Sequence, residues 1–578
     1  MADRFSVMEW TEQRERVFLD RYALKDAEGN TLEAFPEDMW DRVASGLATS
    51  RTERREFLRA LSGFGFVPAG RILNGVGSSQ LATFYNCFVI GVAHDTHGAD
   101  SRAGIMSTVS EMIEITARGG GVGINWSVLR PRDSYISGVN GYSSGSVSWM
   151  GGADRMVDSI RQGGSRTAAL MYILDDWHPD VMEFAESSFL RANHSVAVSD
   201  EFMHQVKTNG MWSSVFPDTS SPDYNTIWDG DIDKWMLRGG EVRIHKSTPA
   251  RLIWDHLCQS ASQTGNPGLV FLERANRTAN TRYMETLIST NPCGEQILPN
   301  GGSCNLGAIN LPAFWDPKLN QLDWFGMRDA VVTAVKMLNR VIDKSPDINQ
   351  HIGDVQRQVR RIGLGTMGLA DLLILNRMKY GSEESLDYAR AVYEYIRDTA
   401  YMASVDLASN EGSAPGLQRN EFIQGTFIKR MPQYIHKKIL EHGIRNLTLT
   451  SQAPTGTTSI LAGVSSGIEP VFSREYTRRD ATGETQFTHP LFEGEGDHLV
   501  TALEIPVEHH IKMQGVVQEF LDNSASKTIN LPRGSTWEDV SQAYMLAYDL
   551  GCKGITVYVN GCRPGVLENG EYCEVCEV

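Results

Sequence analysis

With 578 residues, 41% hydrophobic and 22% charged side chains, the chain has the composition of a folded globular protein that can bury a sizeable core. Its formal net charge of −17 repels polyanions, and it has no basic stripe of the kind that neutralises nucleic-acid phosphates, so no nucleic-acid partner is expected. No apolar run reaches the ~18 residues of a membrane helix, and Met1-Ala2-Asp3-Arg4-Phe5 opens no signal-peptide segment, so no membrane partner is expected and the cytoplasm is the default location. Eight cysteines (Cys87, Cys258, Cys293, Cys304, Cys552, Cys562, Cys573 and Cys576) are too sparse for a secreted disulfide framework; those not buried are expected to bind metal or act in redox chemistry.

In chain order, residues 1–66 read as a polar helical segment, with Arg51, Arg54, Arg55 and Arg59 on one solvated helix face. A catalytic body is expected from 67 to 562, opening near Phe66-Val67-Pro68-Ala69-Gly70-Arg71, and a mobile tail from 563 to 578. Cys87 starts a short buried strand, Cys87 to Val92. Ile105, Val109, Met112 and Ile115 recur at helical spacing, and Gly119-Gly120-Gly121 ends that helix. The Gly- and Ser-dense segment 135–148 reads as a loop, as does Gln162 to Arg166, ahead of a strand over 168–174. Two later helices carry apolar stripes: Val331, Val335, Leu338, Ile342, and Leu386, Ala389, Tyr393, Ile396, the second entered through Ser382 as N-cap. Strands expected near 269–272, 304–311, 447–450 and 554–559 interleave with these helices, which makes the class α/β. The absence of a repeat or a low-complexity linker favours one large domain.

The chemistry concentrates at Asn291-Pro292-Cys293-Gly294-Glu295, followed eleven residues after Cys293 by Cys304. An amide, a thiol and a carboxyl in five residues can hold, attack and deprotonate one small polar molecule, and a further thiol can supply reducing equivalents. The turn Ala453-Pro454-Thr455-Gly456-Thr457-Thr458-Ser459 offers hydroxyls and backbone N–H groups to a phosphate, although a plain helix N-cap would look the same. Cys573 and Cys576 form a C-x-x-C suited to thiol exchange; zinc shared with Cys552 and Cys562 is the competing reading. Asp176-Trp177-His178 begins like a cobalamin-ligand motif but does not continue as one, so His178 reads as structural.

From about residue 66 to the end, these motifs together resemble the large catalytic chain of ribonucleotide reductases, and within them the adenosylcobalamin-dependent class II enzymes. The resemblance implies a ten-stranded α/β barrel of two half-barrels with 291–295 on a central finger loop. It implies reduction of ribonucleoside di- or triphosphates to deoxyribonucleotides, with Cys293 as thiyl radical, Glu295 as base and Asn291 holding the hydroxyls. Cys87 and Cys304 would be the reducing pair, and Cys573 and Cys576 would relay electrons from a thioredoxin- or glutaredoxin-like reductant. Thr455, Gly456, Thr457, Thr458 and Ser459 would bind the substrate phosphates, with Ser465 to Pro470 beside them. A deoxynucleotide or ATP effector would sit at Asp100, Ser101 and Arg166 of a homodimer, Asp100 otherwise being a plain N-cap. Asp522 and the segment 524–532 also match the family, in a role that reads as structural. The sequence contains no Tyr-Tyr pair of the kind that serves a separate radical-generating subunit in class I, and no glycyl-radical motif of class III, which leaves adenosylcobalamin as the expected cofactor. No metal ligand is expected, and only 67 residues precede Pro68, which argues against an ATP cone. The readings held against this one are a class I large subunit and an inactive nucleotide-binding regulator.

Overall fold

A computed structural model describes residues 10–80, 82–94, 98–160, 168–480, 483–492 and 495–562, with 475–488 as backbone only. Three helices come first: Glu12–Arg21, Pro36–Leu47 and Arg51–Leu61, the first and third opened by Thr11 and Ser50 side chains that accept backbone N–H bonds. Phe18, Val43, Leu47, Phe57 and Leu61 turn inward, and Arg51, Arg55 and Arg59 stay exposed as the amphipathic spacing requires.

The body is a sheet of ten strands: β1 (Phe66–Pro68), β2 (Cys87–Val89), β3 (Gly121–Asn125), β4 (Leu170–Asp175), β5 (Ala192–Ala197), β6 (Gly268–Val270), β7 (Gly302–Asn310), β8 (Ile362–Met367), β9 (Thr528–Leu531) and β10 (Gly554–Val559). Their order is β1-β7-β2-β3-β4-β5-β6-β10-β9, with β8 parallel to β7. Strands β2 to β6 run parallel, and β7 lies antiparallel to both β1 and β2. Bridges between Leu364 and Thr450 and between Gln452 and Ala525 continue the sheet from β8 to the segment that leads into β9, closing the barrel. All nine residues of β7 are buried, because the barrel interior covers one face and the helix Trp324–Lys344 packs on the other.

Both striped helices are present, as Trp324–Lys344 and Glu383–Glu411, and Ser382 Oγ caps the second by accepting from the Ser385 N–H. The helix Arg102–Ala117 ends at the glycine run, as expected, with Arg118 as its C-cap and Gly119 at φ +97. Three details change. Gly121 belongs not to that terminus but to β3, as its first residue. The segment 135–148 is a small hairpin, Tyr135–Ile136 with Gly141–Tyr142, followed by a helix, Ser146–Asp158; its glycines and serines mask the buried Met150, Ala153 and Val157. Residues 447–450 form no regular strand, because the Leu449 and Thr450 N–H groups donate to the Asp522 carboxylate instead of a neighbouring strand.

Candidate active site

The motif sits at the tip of a hairpin inside the barrel. Ser289–Thr290 pairs with Ile297–Leu298, and Asn291 to Gln296 make the turn. The Asn291 N–H donates to Gln296 O (3.0 Å) and the Gly294 N–H to Asn291 O (3.1 Å), with Gly294 at φ +83, a conformation that glycine adopts without strain. Asn523 Oδ1 accepts from the Ile297 N–H (2.8 Å), and Glu295 O accepts from Ser451 Oγ (2.9 Å) and the Ser524 N–H (3.1 Å). Asp522 braces this anchor from below: it accepts from Leu449 N, Thr450 N and Tyr401 OH, while Lys553 Nζ donates to the Asp522 and Asn523 carbonyls. The structural reading of Asp522 therefore stands.

Two glycines of β3 let the finger lie against the barrel wall. A Cβ on Gly123 would fall 1.7 Å from Thr290 O, and one on Gly121 would touch Pro292 at 3.0 Å. Their use is close approach of two backbones, which a glycine run read only as a helix terminator does not reveal.

Cys87 and Cys304 stand opposite each other on β2 and β7. Directly opposed antiparallel residues have Cα atoms roughly 4.5–5.5 Å apart, inside the range a disulfide spans. Asn291 Nδ2 donates to Glu295 Oε1 (2.8 Å) and to Cys87 Sγ (3.2 Å), and the Cys87 thiol donates to Glu295 Oε1 (3.4 Å). Glu295 Oε2 and Asn86 Oδ1 are buried and lack a hydrogen-bond partner among the described residues. Asn86, Cys87, Asn291, Cys293 and Glu295 line one cleft, whose opposite wall is Ala453 to Thr458. The space between these walls is about 750 Å³, counting the open solvent at its mouth.

Burial governs the ionisation. It raises the Glu295 pKa to about 7, against the hydrogen bonds from Asn291 and Cys87 that lower it. Burial first, and the nearby Glu295 second, push the Cys87 and Cys293 thiols well above the ordinary range. Cys304 is raised by burial too, opposed by the Arg361 charge. All three sulfurs therefore carry hydrogen at neutral pH. A buried carboxyl poised near neutrality, three protonated thiols and an amide can move hydrogen atoms and protons at one bound molecule.

The hydroxyl-rich wall is the first turn of a short helix, Gly456–Ala462, entered through Thr455 at φ +62. Helix geometry leaves the first-turn N–H groups without intrahelical acceptors. Thr455 Oγ1 accepts from the Gly467 N–H (2.8 Å), Thr457 Oγ1 bonds Tyr22 OH (2.5 Å) and Thr458 Oγ1 donates to Thr455 O (2.7 Å). Ser459 is buried, donates to Gly456 O (2.7 Å) and does not line the cleft, which leaves backbone N–H groups and open space at Gly456 as the wall's main offering.

The chain matches the "ribonucleotide reductase, barrel domain" family over residues 85–499 and 493–558, and the "ribonucleotide reductase, all-alpha domain" family over residues 8–80. It belongs to the ribonucleotide reductase large-chain family. The expected α/β barrel with helices ahead of it is the family's architecture. Among relatives, the chain is 34% identical to a vitamin B12-dependent ribonucleoside-diphosphate reductase of Thermoplasma acidophilum, over 92% of this chain and 68% of that protein. It is 32% identical to one of Mycobacterium tuberculosis, over 95% and 79%. It is 28% identical to the ribonucleoside-diphosphate reductase large subunit of Variola virus, over 90% and 68%.

Other expected reductase residues lie away from the cleft or outside the described structure. Ser101, not Asp100, caps the helix Arg102–Ala117, its Oγ accepting from the Gly104 N–H. Asp100 Oδ2 instead accepts from Arg130 Nε (2.5 Å) and Tyr224 OH (2.7 Å). Arg166, Cys573 and Cys576 lie outside the described residues. Cys552 and Cys562 flank opposite ends of β10, and a six-residue strand spans roughly 17–20 Å, too far for one zinc ion to hold both. His178 is buried with both ring nitrogens engaged, Nε2 with Leu129 O and Nδ1 with the Asp180 N–H, in keeping with a structural role. No described helix is long and apolar enough to cross a membrane. Asn86, Ser451 and Asn523 escaped the sequence reading. Asn86 adjoins Cys87, but the other two reach the site only through tertiary contacts.

Proposed function

We propose that this chain reduces ribonucleoside diphosphates to 2′-deoxyribonucleotides through a thiyl radical on Cys293, with adenosylcobalamin as cofactor. One observation carries the reading: Cys87, Asn291, Cys293, Glu295 and the 453–458 turn line a single cleft, with Cys304 paired to Cys87 on the adjoining strand. The residues fit such a cofactor. Cys293 is largely buried but reaches the cleft wall, and His178 is committed at both nitrogens, so it would contribute no cobalt ligand. Adenosylcobalamin, when bound, supplies a carbon-centred radical that can take a hydrogen atom.

Cys293, kept as the thiol by burial, gives up its hydrogen and then removes the ribose 3′ hydrogen. Glu295, half ionised near neutrality, accepts the 3′-hydroxyl proton. Asn291 holds that carboxylate and the Cys87 sulfur in one geometry, so the steps are intramolecular. The 2′-hydroxyl leaves as water with a proton from Cys87. The Cys87 and Cys304 thiols supply the two electrons and end as a disulfide, the second hydrogen going to C2′ and Glu295 returning the 3′-hydroxyl proton. Giving the 3′ hydrogen back to the product leaves Cys293 a thiyl radical once more, which would take back the hydrogen it first gave up. The phosphates lie against the N–H groups of 456–458.

The same proposal includes a thioredoxin- or glutaredoxin-like reductant acting through Cys573 and Cys576, an effector at Asp100, Ser101 and Arg166, a homodimer, and the division into 1–66, 67–562 and 563–578. The purified chain with adenosylcobalamin and a dithiol should convert ribonucleotides with no second subunit, and Cys293→Ser should abolish product. Turnover only after a radical-generating subunit is added would favour class I. Nucleotide binding with no turnover under either condition would favour the inactive regulator.

A further inference from the structure

Gln296, the residue after the motif, has its side chain fixed in one sense. Its Oε1 accepts from Asn523 Nδ2 (2.8 Å), which leaves Nε2 on the opposite side, buried and without a partner among the described residues. That Nε2 lies 2.8 Å, and Cys304 Sγ 3.2 Å, from the point where a Cβ on Gly363 would fall. A glycine in β8 thus opens one shared space that holds an amide with two idle N–H donors and the sulfur of Cys304. The buried Arg361, two residues earlier, has Nε and Nη1 likewise unsatisfied among the described residues. The charged groups acting on Cys304 are Arg361, Glu295 and Asp522, and Arg361 is the one that favours a thiolate. On the other side of the pair the surroundings differ. Cys87 lines the cleft, Cys304 does not, and Cys87 faces the Glu295 carboxylate.

We propose that the Cys87–Cys304 disulfide is reduced in a fixed direction, with Cys87 as the attacked sulfur and Cys304 as the leaving thiolate, received by the Gln296 amide. The inference rests on the reading of these cysteines as the reducing pair. An incoming dithiol, as thiolate, attacks Cys87 Sγ from the cleft and the S–S bond breaks. Its electron pair goes to Cys304 Sγ, where the Gln296 N–H groups donate to it. The reductant's second thiol then attacks the mixed disulfide, releasing Cys87 and leaving the reductant oxidised; each protein sulfur finally takes one proton. An N–H bond to a charged sulfur is roughly twice as strong as one to a neutral group, so the idle amide stabilises the leaving thiolate more than the disulfide. Leaving-group basicity enters exchange rates directly.

The full chain, oxidised by one round of turnover, is treated with a limiting monothiol, glutathione, then alkylated and mapped by peptide mass. The glutathione adduct should sit on Cys87 and the alkyl group on Cys304; an adduct mainly on Cys304 overturns the inference. The Gln296→Met variant, close in volume but without the donors, should be re-reduced by dithiothreitol about three- to ten-fold more slowly. An unchanged rate in a folded variant overturns the role of the amide. If mapping of the oxidised parent finds no Cys87–Cys304 disulfide, the reading of the pair itself fails, a result distinct from an adduct on the wrong sulfur.

Discussion

Gly123→Ala places one methyl group between the barrel wall and the finger. The added carbon would stand 1.7 Å from Thr290 O and 2.7 Å from the Thr290 carbonyl carbon. The backbone at Gly123 is ordinary strand, so the substitution brings no conformational penalty of its own. Non-bonded carbon and oxygen do not approach within 3 Å, so the hairpin carrying Asn291 to Glu295 must retreat by more than about 1 Å, a misplacement that costs on the order of 100-fold in rate. Overpacking of this kind also costs about 1–3 kcal/mol of stability. Turnover with adenosylcobalamin and dithiol, measured beside far-UV circular dichroism and thermal unfolding, reports both effects. A variant that melts within a degree of the parent and turns over within two-fold of it would refute the claim that the finger's position depends on this glycine.

Glu295 gives a pH dependence whose sign follows from its raised pKa. Activity should rise with pH through about 7 as the carboxylate forms, and Glu295→Gln should remove that limb along with turnover. For stability, the proton is held to about 7 in the folded chain and only to 4.5 when unfolded. The contribution is therefore fully present below 4.5 and lost as pH rises through 7, by up to about 3 kcal/mol, and Glu295→Gln should flatten the melting temperature across that window. Gly456→Val fills space with nothing within 4 Å on the wall assigned to phosphate. It should leave thermal stability unchanged and raise KM about ten-fold, more than it lowers kcat. Asp522→Asn turns a donor toward the N–H and O–H groups that the carboxylate now accepts from. It should cost about 1–3 kcal/mol in unfolding experiments and slow turnover by loosening the finger.

The sequence determined much of this protein by itself. Apolar spacing places Val331 to Ile342 and Leu386 to Ile396 on buried helix faces, because a helix has one period and the core accepts one face. The five-residue motif carries its chemistry in the side chains themselves, and the resemblance implies Cys87 and Cys304 as partners 217 positions apart. What only the tertiary structure decided is what depends on contacts between distant segments. The Leu449 and Thr450 N–H groups go to a carboxylate 73 and 72 residues away, while the Leu449 carbonyl accepts from Leu364 of β8. Gly123 exists for Thr290, Gly363 makes room for Cys304 and Gln296, and Glu295 reaches a pKa near neutrality only where the barrel removes water. Periodicity is written along the chain; close approach, desolvation and the direction in which an amide points belong to the closed barrel.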